Sequence, residues 1–195
     1  MNCALLLKGN RMLSRFKPKI TGLLKPITLW LFRIGIRPNH LTALAVTSGL
    51  FSAYLIFIGK PFEGVFFLFI SSALDALDGA LARNQNLKSD FGGFLDSVMD
   101  RYVDAAVIIS IGVYSGHVLL ASIAVAGALM VSYARARAEQ IIERCDVGIA
   151  ERGERTLVLI AGLLSGFEYH SLLIVAVLAH LTAIHRIYYT YSQSR

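Results

Sequence analysis

The sequence predicts an all-α integral membrane protein in which six transmembrane helices follow an N-terminal interfacial amphipathic helix. Composition is the first reason: of 195 residues, 55% are hydrophobic and 16% are charged, and the mean hydropathy is +0.60. Such a chain is too apolar for an ordinary soluble domain. The second reason is that apolar stretches of roughly 20 residues, the length that crosses a bilayer, recur along the chain.

The N-terminal segment has the character of a helix that lies on a membrane surface. Lysines and arginines are interspersed with large apolar residues through residues 12–36, a composition typical of interfacial, juxtamembrane helices. A disordered basic arm is the alternative interpretation. Residues 1–11 are expected to be a flexible extension and not a cleavable signal, because no small-residue cleavage site follows their brief apolar run.

Six apolar stretches form the predicted core, at residues 39–192 of a single membrane domain that covers residues 1–195. Turn-forming residues separate several stretches, as at Gly59-Lys60-Pro61. The fifth stretch is short, and the charged residues before it are expected to extend its helix into the interface. The predicted spans are residues 40–58, 62–83, 91–114, 118–142, 154–167 and 171–190.

The distribution of positive charge predicts the orientation in the membrane. When both termini and the loops at residues 84–90 and 143–153 are put on one side, that side holds all 19 lysines and arginines except Lys60. Cytoplasmic loops carry such an excess of positive residues. We therefore expect a multi-pass protein of the cell membrane with both termini in the cytoplasm.

Four aspartates lie at the cytoplasmic side of the second and third predicted spans, where carboxylates are costly and therefore indicate function. Asp75 and Asp78 are three residues apart, and Asp96 and Asp100 are four apart, so each pair shares one face of a helix. A short turn between the helices would bring all four together. Carboxylate oxygens are ligands for hard divalent cations. Four of them can hold two ions about 4 Å apart, which stabilise the attacking and leaving oxygens of a phosphoryl displacement.

The residues between the aspartate pairs suit a phosphate ligand. Gly79 allows the backbone to approach a ligand closely, and Ala82 is small in the same region. Arg83 carries a planar guanidinium that can pair with a phosphate. Gly92 opens the next helix and leaves room on its face. Each feature alone is weak, since a single pair of aspartates on a helix is usually solvated surface.

Together these residues form the pattern D-x-x-D-G-x-x-A-R, eight residues, then G-x-x-x-D-x-x-x-D, between Asp75 and Asp100. This pattern resembles the signature of the CDP-alcohol phosphatidyltransferase family, with every signature position filled. The stretch from Gly35 to Thr42 is also similar to the start of the family's first membrane helix. The resemblance extends to the architecture, since six helices after an interfacial helix are expected in this family.

The resemblance implies a reaction and a division of roles. A CDP-linked lipid donates its phosphatidyl group to an alcohol, and CMP leaves. Two divalent cations, Mg²⁺ or Mn²⁺, are implied as cofactors, held by Asp75, Asp78 and Asp96, with Asp100 contributing to the second ion. Asp100 is also implied as the catalytic general base. The implied CDP-lipid pocket is formed by Asp78, Gly79, Ala82, Arg83 and Gly92.

Arginines near the cytoplasmic ends of the fourth and fifth predicted helices suit an acceptor that carries a phosphate better than a cationic amine. The stretches at residues 132–139 and 151–155 resemble the inositol-phosphate branch of the family, in which basic residues there bind the acceptor phosphate. For any single arginine, the alternative is the positive-inside pattern, which needs no ligand. The implied acceptor is inositol 1-phosphate, bound by Arg135, Arg137, Arg152 and Arg155.

Several alternatives remain open at this point. The donor is CDP-archaeol or CDP-diacylglycerol, and the sequence of residues 91–102 and 151–155 favours the archaeal lipid. Within the family, phosphatidylglycerophosphate synthesis is the second possibility. Outside it, intramembrane carboxylates also mark ion transporters, although these four lie at one membrane side and do not line a path across it. The resemblance further implies a homodimer, and no nucleic acid is expected as a partner.

Overall fold

The structure is a computed structural model that describes residues 24–149 and 151–194. Within those ranges every regular element is an α-helix, which confirms the predicted all-α class. The seven helices in these described ranges are α1 Lys25–Arg33, α2 Pro38–Phe57, α3 Pro61–Asn84, α4 Asp90–Tyr114, α5 Val118–Ala138, α6 Arg152–Ser165 and α7 Glu168–Gln193.

The chain divides between Ser110 and Ile111, inside α4, into two compact units. The described part of the first unit is residues 24–110, and that of the second is residues 111–149 and 151–194. The first unit carries the aspartates, and the second carries the four candidate acceptor arginines.

In the first unit, α2 and α3 form an antiparallel pair. The hydroxyl of Ser52 donates to the carbonyl of Gly64 at 2.6 Å, and that of Ser71 donates to the carbonyl of Ala45 at 2.8 Å. The later residue of α2 thus bonds to the earlier residue of α3, which is the order of an antiparallel pair. Small residues permit this approach: a Cβ added to Gly64 of α3 would lie 2.5 Å from Cγ1 of Ile56 on α2.

The short helix α1 packs against the end of α3. Thr28 is fully buried and accepts a hydrogen bond at 3.0 Å from the side-chain amide of Asn84. An apolar cluster formed by Leu31, Leu41 and Leu81 closes the same junction. Trp30 is 62% exposed on the opposite side of α1. Half of the predicted interfacial segment, residues 12–23, lies outside the described residues.

In the second unit, α7 packs against α5 and α6. Val131 of α5 meets Ala179 and Ala183 of α7 in one apolar cluster. A Cβ added to Gly162 of α6 would lie 2.3 Å from the hydroxyl oxygen of Ser171 on α7, so only glycine allows this approach. The helix α6 ends at Ser165, and the residue that follows, Gly166, has a φ of +71°, the left-handed conformation that commonly terminates a helix.

Arg186 of α7 holds the loop between α5 and α6. Its side chain is only 2% exposed; Nε donates to the carbonyl of Val147 at 2.8 Å, and Nη1 donates to the carbonyl of Val131 at 2.6 Å. The backbone N–H of Ile149 donates to the hydroxyl of Thr182 at 3.3 Å. Two residues of α7 thereby fix the segment that leads into α6.

Among the described residues, four helices are long and apolar enough to cross a membrane: α2, α3, α5 and α7. Each of the six predicted spans nevertheless corresponds to one helix from α2 to α7, with ends that differ by a few residues. The helix α4 falls short in apolar character because it contains Asp90, Asp96, Asp100, Arg101 and Asp104. The helix α6 has 14 residues and is therefore only about 21 Å long.

Candidate active site

Three of the four predicted aspartates converge where α3 approaches its end and α4 begins. Ligand oxygens of Asp75, Asp78 and Asp96 all lie within 4.8 Å of one another. The five residues 85–89 connect the two helices, and this is the short turn that the sequence predicted. Asp100 lies one helical turn beyond Asp96 on α4, is partly buried, and is not in the group within 4.8 Å.

The converging carboxylates fit a hard divalent cation. Asp78 is only 6% exposed, and Asp75 and Asp96 are partly buried. Three like charges so close together in a partly desolvated place repel one another, and a cation between them reverses that cost. All the donors are carboxylate oxygens, the ligand type that Mg²⁺ and Mn²⁺ prefer. The residues present therefore suit the cofactor that the sequence implies.

Thr42 of α2 is part of this site, a role that its place in an apolar helix does not predict. Its hydroxyl donates to Oδ2 of Asp78 at 2.7 Å. The antiparallel pairing of α2 with α3 brings the two residues together, although 36 positions separate them in the chain. Thr42 does close the stretch from Gly35 to Thr42 that resembles the family, and that was the only signal in the sequence.

The predicted nucleotide-binding residues of α3 lie directly beside the aspartates. A Cβ added to Gly79 would lie 3.1 Å from Nη1 of Arg83, so the missing side chain at Gly79 makes room for the guanidinium of Arg83. Ala82 is partly buried, and Arg83 is exposed. Gly79 was expected to let the backbone approach a ligand closely. In this structure the guanidinium of Arg83 occupies the space beside Gly79.

Gly92 lies in the first turn of α4, as the sequence predicted. Its N–H donates to the hydroxyl of Ser89 at 3.0 Å, which is the hydrogen bond of a helix N-cap. A Cβ at Gly92 would lie 2.7 Å from that hydroxyl and 3.5 Å from Oδ1 of Asn39 on α2. A side chain here would thus disturb the start of the helix that carries Asp96.

The four candidate acceptor arginines lie in the second unit. Nε of Arg135 pairs with Glu139 at 2.9 Å, and Nη2 pairs with Asp146 at 3.3 Å. Arg137 donates to the side chain of Gln140. Arg152 begins α6, and Arg155 on the next turn is only 5% exposed. Two of the four, Arg135 and Arg137, are therefore held by the end of α5 and the loop that follows.

The model of the family described as CDP-alcohol phosphatidyltransferase matches residues 35–186 of this chain. The chain belongs to this family. The match contains all four aspartates and every residue of the predicted CDP-lipid pocket, so the resemblance seen in the motif is confirmed. The chain belongs to this family, and its described part contains four helices long and apolar enough to cross a bilayer; it is therefore an integral membrane enzyme, a transferase of phospholipid biosynthesis.

A curated relative gives the similarity over nearly the whole length. The chain is 37% identical over 196 residues to the archaetidylinositol phosphate synthase of Methanothermobacter thermautotrophicus, covering 93% of this chain and 95% of the relative.

Solved structures of the family agree with the fold. The phosphatidylinositol phosphate synthase of Mycobacterium tuberculosis with CDP-DAG bound superposes with a TM-score of 0.77 at 28% identity, over 89% of this chain and 94% of that one. The same enzyme in complex with manganese and citrate gives a TM-score of 0.77 at 28% identity, over 86% of this chain and 88% of the other. A divalent metal in that relative agrees with the carboxylate group found here.

Proposed function

We propose that this enzyme transfers the phosphatidyl or archaetidyl group of a CDP-linked lipid to inositol 1-phosphate and releases CMP. The observation that carries the proposal is the convergence of Asp75, Asp78 and Asp96 within 4.8 Å. It occurs in a chain that is similar over 93% of its length to an archaetidylinositol phosphate synthase. The donor is CDP-archaeol or CDP-diacylglycerol.

Two divalent ions, Mg²⁺ or Mn²⁺, are the proposed cofactors, with Asp75, Asp78 and Asp96 as ligands and Asp100 as a further ligand of the second ion. Bound there, they would neutralise the charge of the diphosphate and of the oxygens that exchange at phosphorus. The carboxylates provide the fixed geometry, and phosphoryl transfer depends mostly on such positioning and charge stabilisation.

Asp100 is the proposed general base. The acceptor hydroxyl attacks the phosphorus attached to the lipid, a new P–O bond forms, and the P–O bond to CMP breaks. The hydroxyl proton passes to the carboxylate of Asp100. Its position on α4, one turn from Asp96 and outside the group within 4.8 Å, supports a role that differs from that of the other three aspartates.

The proposed CDP-lipid pocket consists of Asp78, Gly79, Ala82, Arg83 and Gly92. The exposed guanidinium of Arg83 offers a planar pair of donors to a phosphate. A Cβ at Gly79 would lie 3.1 Å from Nη1 of Arg83, so a side chain there would shift this guanidinium.

Arg135, Arg137, Arg152 and Arg155 are the proposed ligands of the acceptor phosphate. The side chain of Arg135 is 39% exposed and faces two carboxylates, of Glu139 and Asp146, which hold its guanidinium in a defined orientation. A phosphorylated acceptor has the charge and the oxygen geometry that such arginines bind. Glycerol 3-phosphate shares both properties, so phosphatidylglycerophosphate synthesis is the second candidate.

For the membrane arrangement we propose six crossings by α2 to α7, within one domain whose core is residues 39–192. The segment 12–36 would lie at the interface. The aspartates and both termini would face the cytoplasm, because the lysines and arginines concentrate on that side. A homodimer is the proposed assembly.

An acceptor panel tests the reaction. The purified protein in detergent receives Mn²⁺ or Mg²⁺, a CDP-linked lipid, and either inositol 1-phosphate, glycerol 3-phosphate or no acceptor; CMP release and the mass of the lipid product are measured. We expect CMP and a phosphoinositol lipid with inositol 1-phosphate. Product from glycerol 3-phosphate alone would support the second candidate. Ion flux in liposomes, with no CMP released in the presence of any alcohol, would contradict the proposed transferase activity.

A further inference from the structure

We propose that Thr42 is a positioning residue that fixes the metal-binding carboxylate of Asp78. Oγ1 of Thr42 lies 2.7 Å from Oδ2 of Asp78 and 3.2 Å from the carbonyl oxygen of Pro38. A hydroxyl has a single proton to donate, and a carboxylate is the stronger acceptor. The proton is therefore directed mainly to Asp78.

The position of Thr42 is set by helix packing. The bonds from Ser71 to Ala45 at 2.8 Å and from Ser52 to Gly64 at 2.6 Å fix the register of α2 against α3 further along the same pair. Towards the other end of the same pair, the bond from Thr42 to Asp78 at 2.7 Å continues this antiparallel order. The hydroxyl that binds the carboxylate of Asp78 therefore comes from a different helix, α2, and not from α3 itself.

The bond to Thr42 leaves Asp78 able to bind a cation. A carboxylate has two oxygens with about four lone-pair directions, and Thr42 uses only one of them. Asp78 is the most buried of the three aspartates, with 6% exposure; Asp75 and Asp96 are partly exposed. The bond from Thr42 opposes the repulsion from Asp75 and Asp96, which would otherwise favour turning the carboxylate of Asp78 away from them.

Loss of such an orienting bond lowers metal affinity. Residues that hold metal ligands typically contribute about ten- to hundredfold in affinity or activity. Thr42→Val removes the hydroxyl and keeps the shape of the side chain, whereas Thr42→Ser keeps a hydroxyl. Thr47 on the same helix is the matched control, because its hydroxyl donates only to the carbonyl of Ala43 at 2.8 Å.

The test measures Mn²⁺ binding to the full-length protein in detergent, from the electron paramagnetic resonance signal of the free ion, with no lipid or acceptor present. We expect Thr42→Val to raise the Kd for Mn²⁺ by about tenfold or more, Thr42→Ser to stay within about twofold of the unmodified protein, and Thr47→Val to have no effect. In assays, the Mn²⁺ concentration for half-maximal activity should rise in parallel, with a smaller change in kcat at saturating Mn²⁺.

A Kd for Thr42→Val equal to that of Thr47→Val would overturn the inference, as would a failure of the unmodified protein to bind Mn²⁺. If Thr42→Val does not fold, Thr42→Ala is judged by the same threshold. The inference rests on the proposed function only through the divalent cation. Weakened Mn²⁺ binding by Thr42→Val without CMP release from any acceptor would leave it standing and remove the proposed function. If the unmodified protein releases CMP in an acceptor-dependent way and Thr42→Val binds Mn²⁺ as tightly as it does, the proposed function stands and the role of Thr42 is removed.

Discussion

The guanidinium of Arg186 donates from Nε to the carbonyl oxygen of Val147 at 2.8 Å, and this bond ties α7 to the loop that leads into α6. The same side chain reaches the carbonyl of Val131 on α5 at 2.6 Å. One buried cation thus satisfies backbone acceptors of two different segments, and its Nη2 lies 4.0 Å from the carboxylate of Glu151.

Replacement of Arg186 by methionine should strongly destabilise the protein. The two carbonyl oxygens would lose a charged donor in a buried place, and we expect a loss of about 2–5 kcal/mol. Thermal unfolding in one fixed detergent measures the effect as a lower Tm. Arg144→Met is the control, because the Arg144 side chain is 73% exposed. Equal Tm values for the two variants would show that Arg186 does not hold the loop.

Alanine at Gly148 should loosen the same loop. Gly148 has a φ of +124°, and its added Cβ would lie 2.3 Å from Cγ2 of Thr182. We expect a cost of about 1–3 kcal/mol for the backbone conformation, and more for the contact. Gly116→Ala separates the two effects, since Gly116 has a φ of +76° and no atom within 4 Å of its Cβ position. The expected readout is faster proteolysis within residues 139–151 for Gly148→Ala only; the same rate in both variants would contradict it.

Alanine at Gly49 should separate the helices of the first unit. Its Cβ would lie 2.5 Å from Cγ1 of Val103 and 3.0 Å from the hydroxyl oxygen of Ser71. Overpacking of this kind typically costs about 1–3 kcal/mol, which a Tm measurement detects. Gly93→Ala is the control in an open position of α4, where alanine is the better helix former. A Tm for Gly49→Ala as high as that for Gly93→Ala would mean that α2 can shift without cost.

Asp100→Asn should abolish turnover and leave CDP-lipid binding largely intact. Removal of a general base typically lowers kcat by about 10²- to 10⁴-fold, while Asp75, Asp78 and Asp96 keep their place. Single-turnover CMP release and a CDP-lipid binding isotherm measure the two effects separately. Asp78→Asn is the comparison and should lose Mn²⁺ affinity. Loss of CDP-lipid binding in Asp100→Asn would instead make Asp100 chiefly a metal ligand.

Arg135→Ala should raise the KM for the phosphorylated acceptor more than the KM for the CDP-linked lipid. A hydrogen bond to a charged group contributes about 1.5–3 kcal/mol, so we expect an increase of about tenfold or more in the acceptor KM. Arg144→Ala is the matched control, since Arg144 also pairs with Asp146 and its loss affects that carboxylate in the same way. Equal effects of Arg135→Ala on both KM values would remove its proposed role.

The sequence predicted the helices well where turn residues and apolar length agree. The second span was expected at residues 62–83 and is α3, Pro61–Asn84. The fourth was expected to continue to residue 142, but α5 ends at Ala138. The last residue of the predicted span, Ile142, lies in the irregular loop beyond α5, where it packs against the buried cluster of Ala138, Cys145 and Val147. Hydropathy records burial but does not distinguish a buried loop from a helix.

The carboxylate group was predictable because its members are close in sequence, with periodic spacing and one short connection. The roles of Thr42 and Arg186 were not, since their partners lie 36 and 39 residues away. Such contacts depend on which helices pair and in which register, and no local pattern encodes that. A threonine in an apolar helix and an arginine near the end of another each have ordinary local explanations.

The oxygens that meet at Asp78 come from three different helices: Thr42 from α2, Asp75 and Asp78 from α3, and Asp96 from α4. The measured affinity for the ion therefore reports how completely these three helices are assembled. The reason is that an ion that binds only the assembled helices stabilises that state. A detergent or lipid mixture that preserves the native arrangement can therefore be chosen by titration with Mn²⁺, before any substrate is prepared.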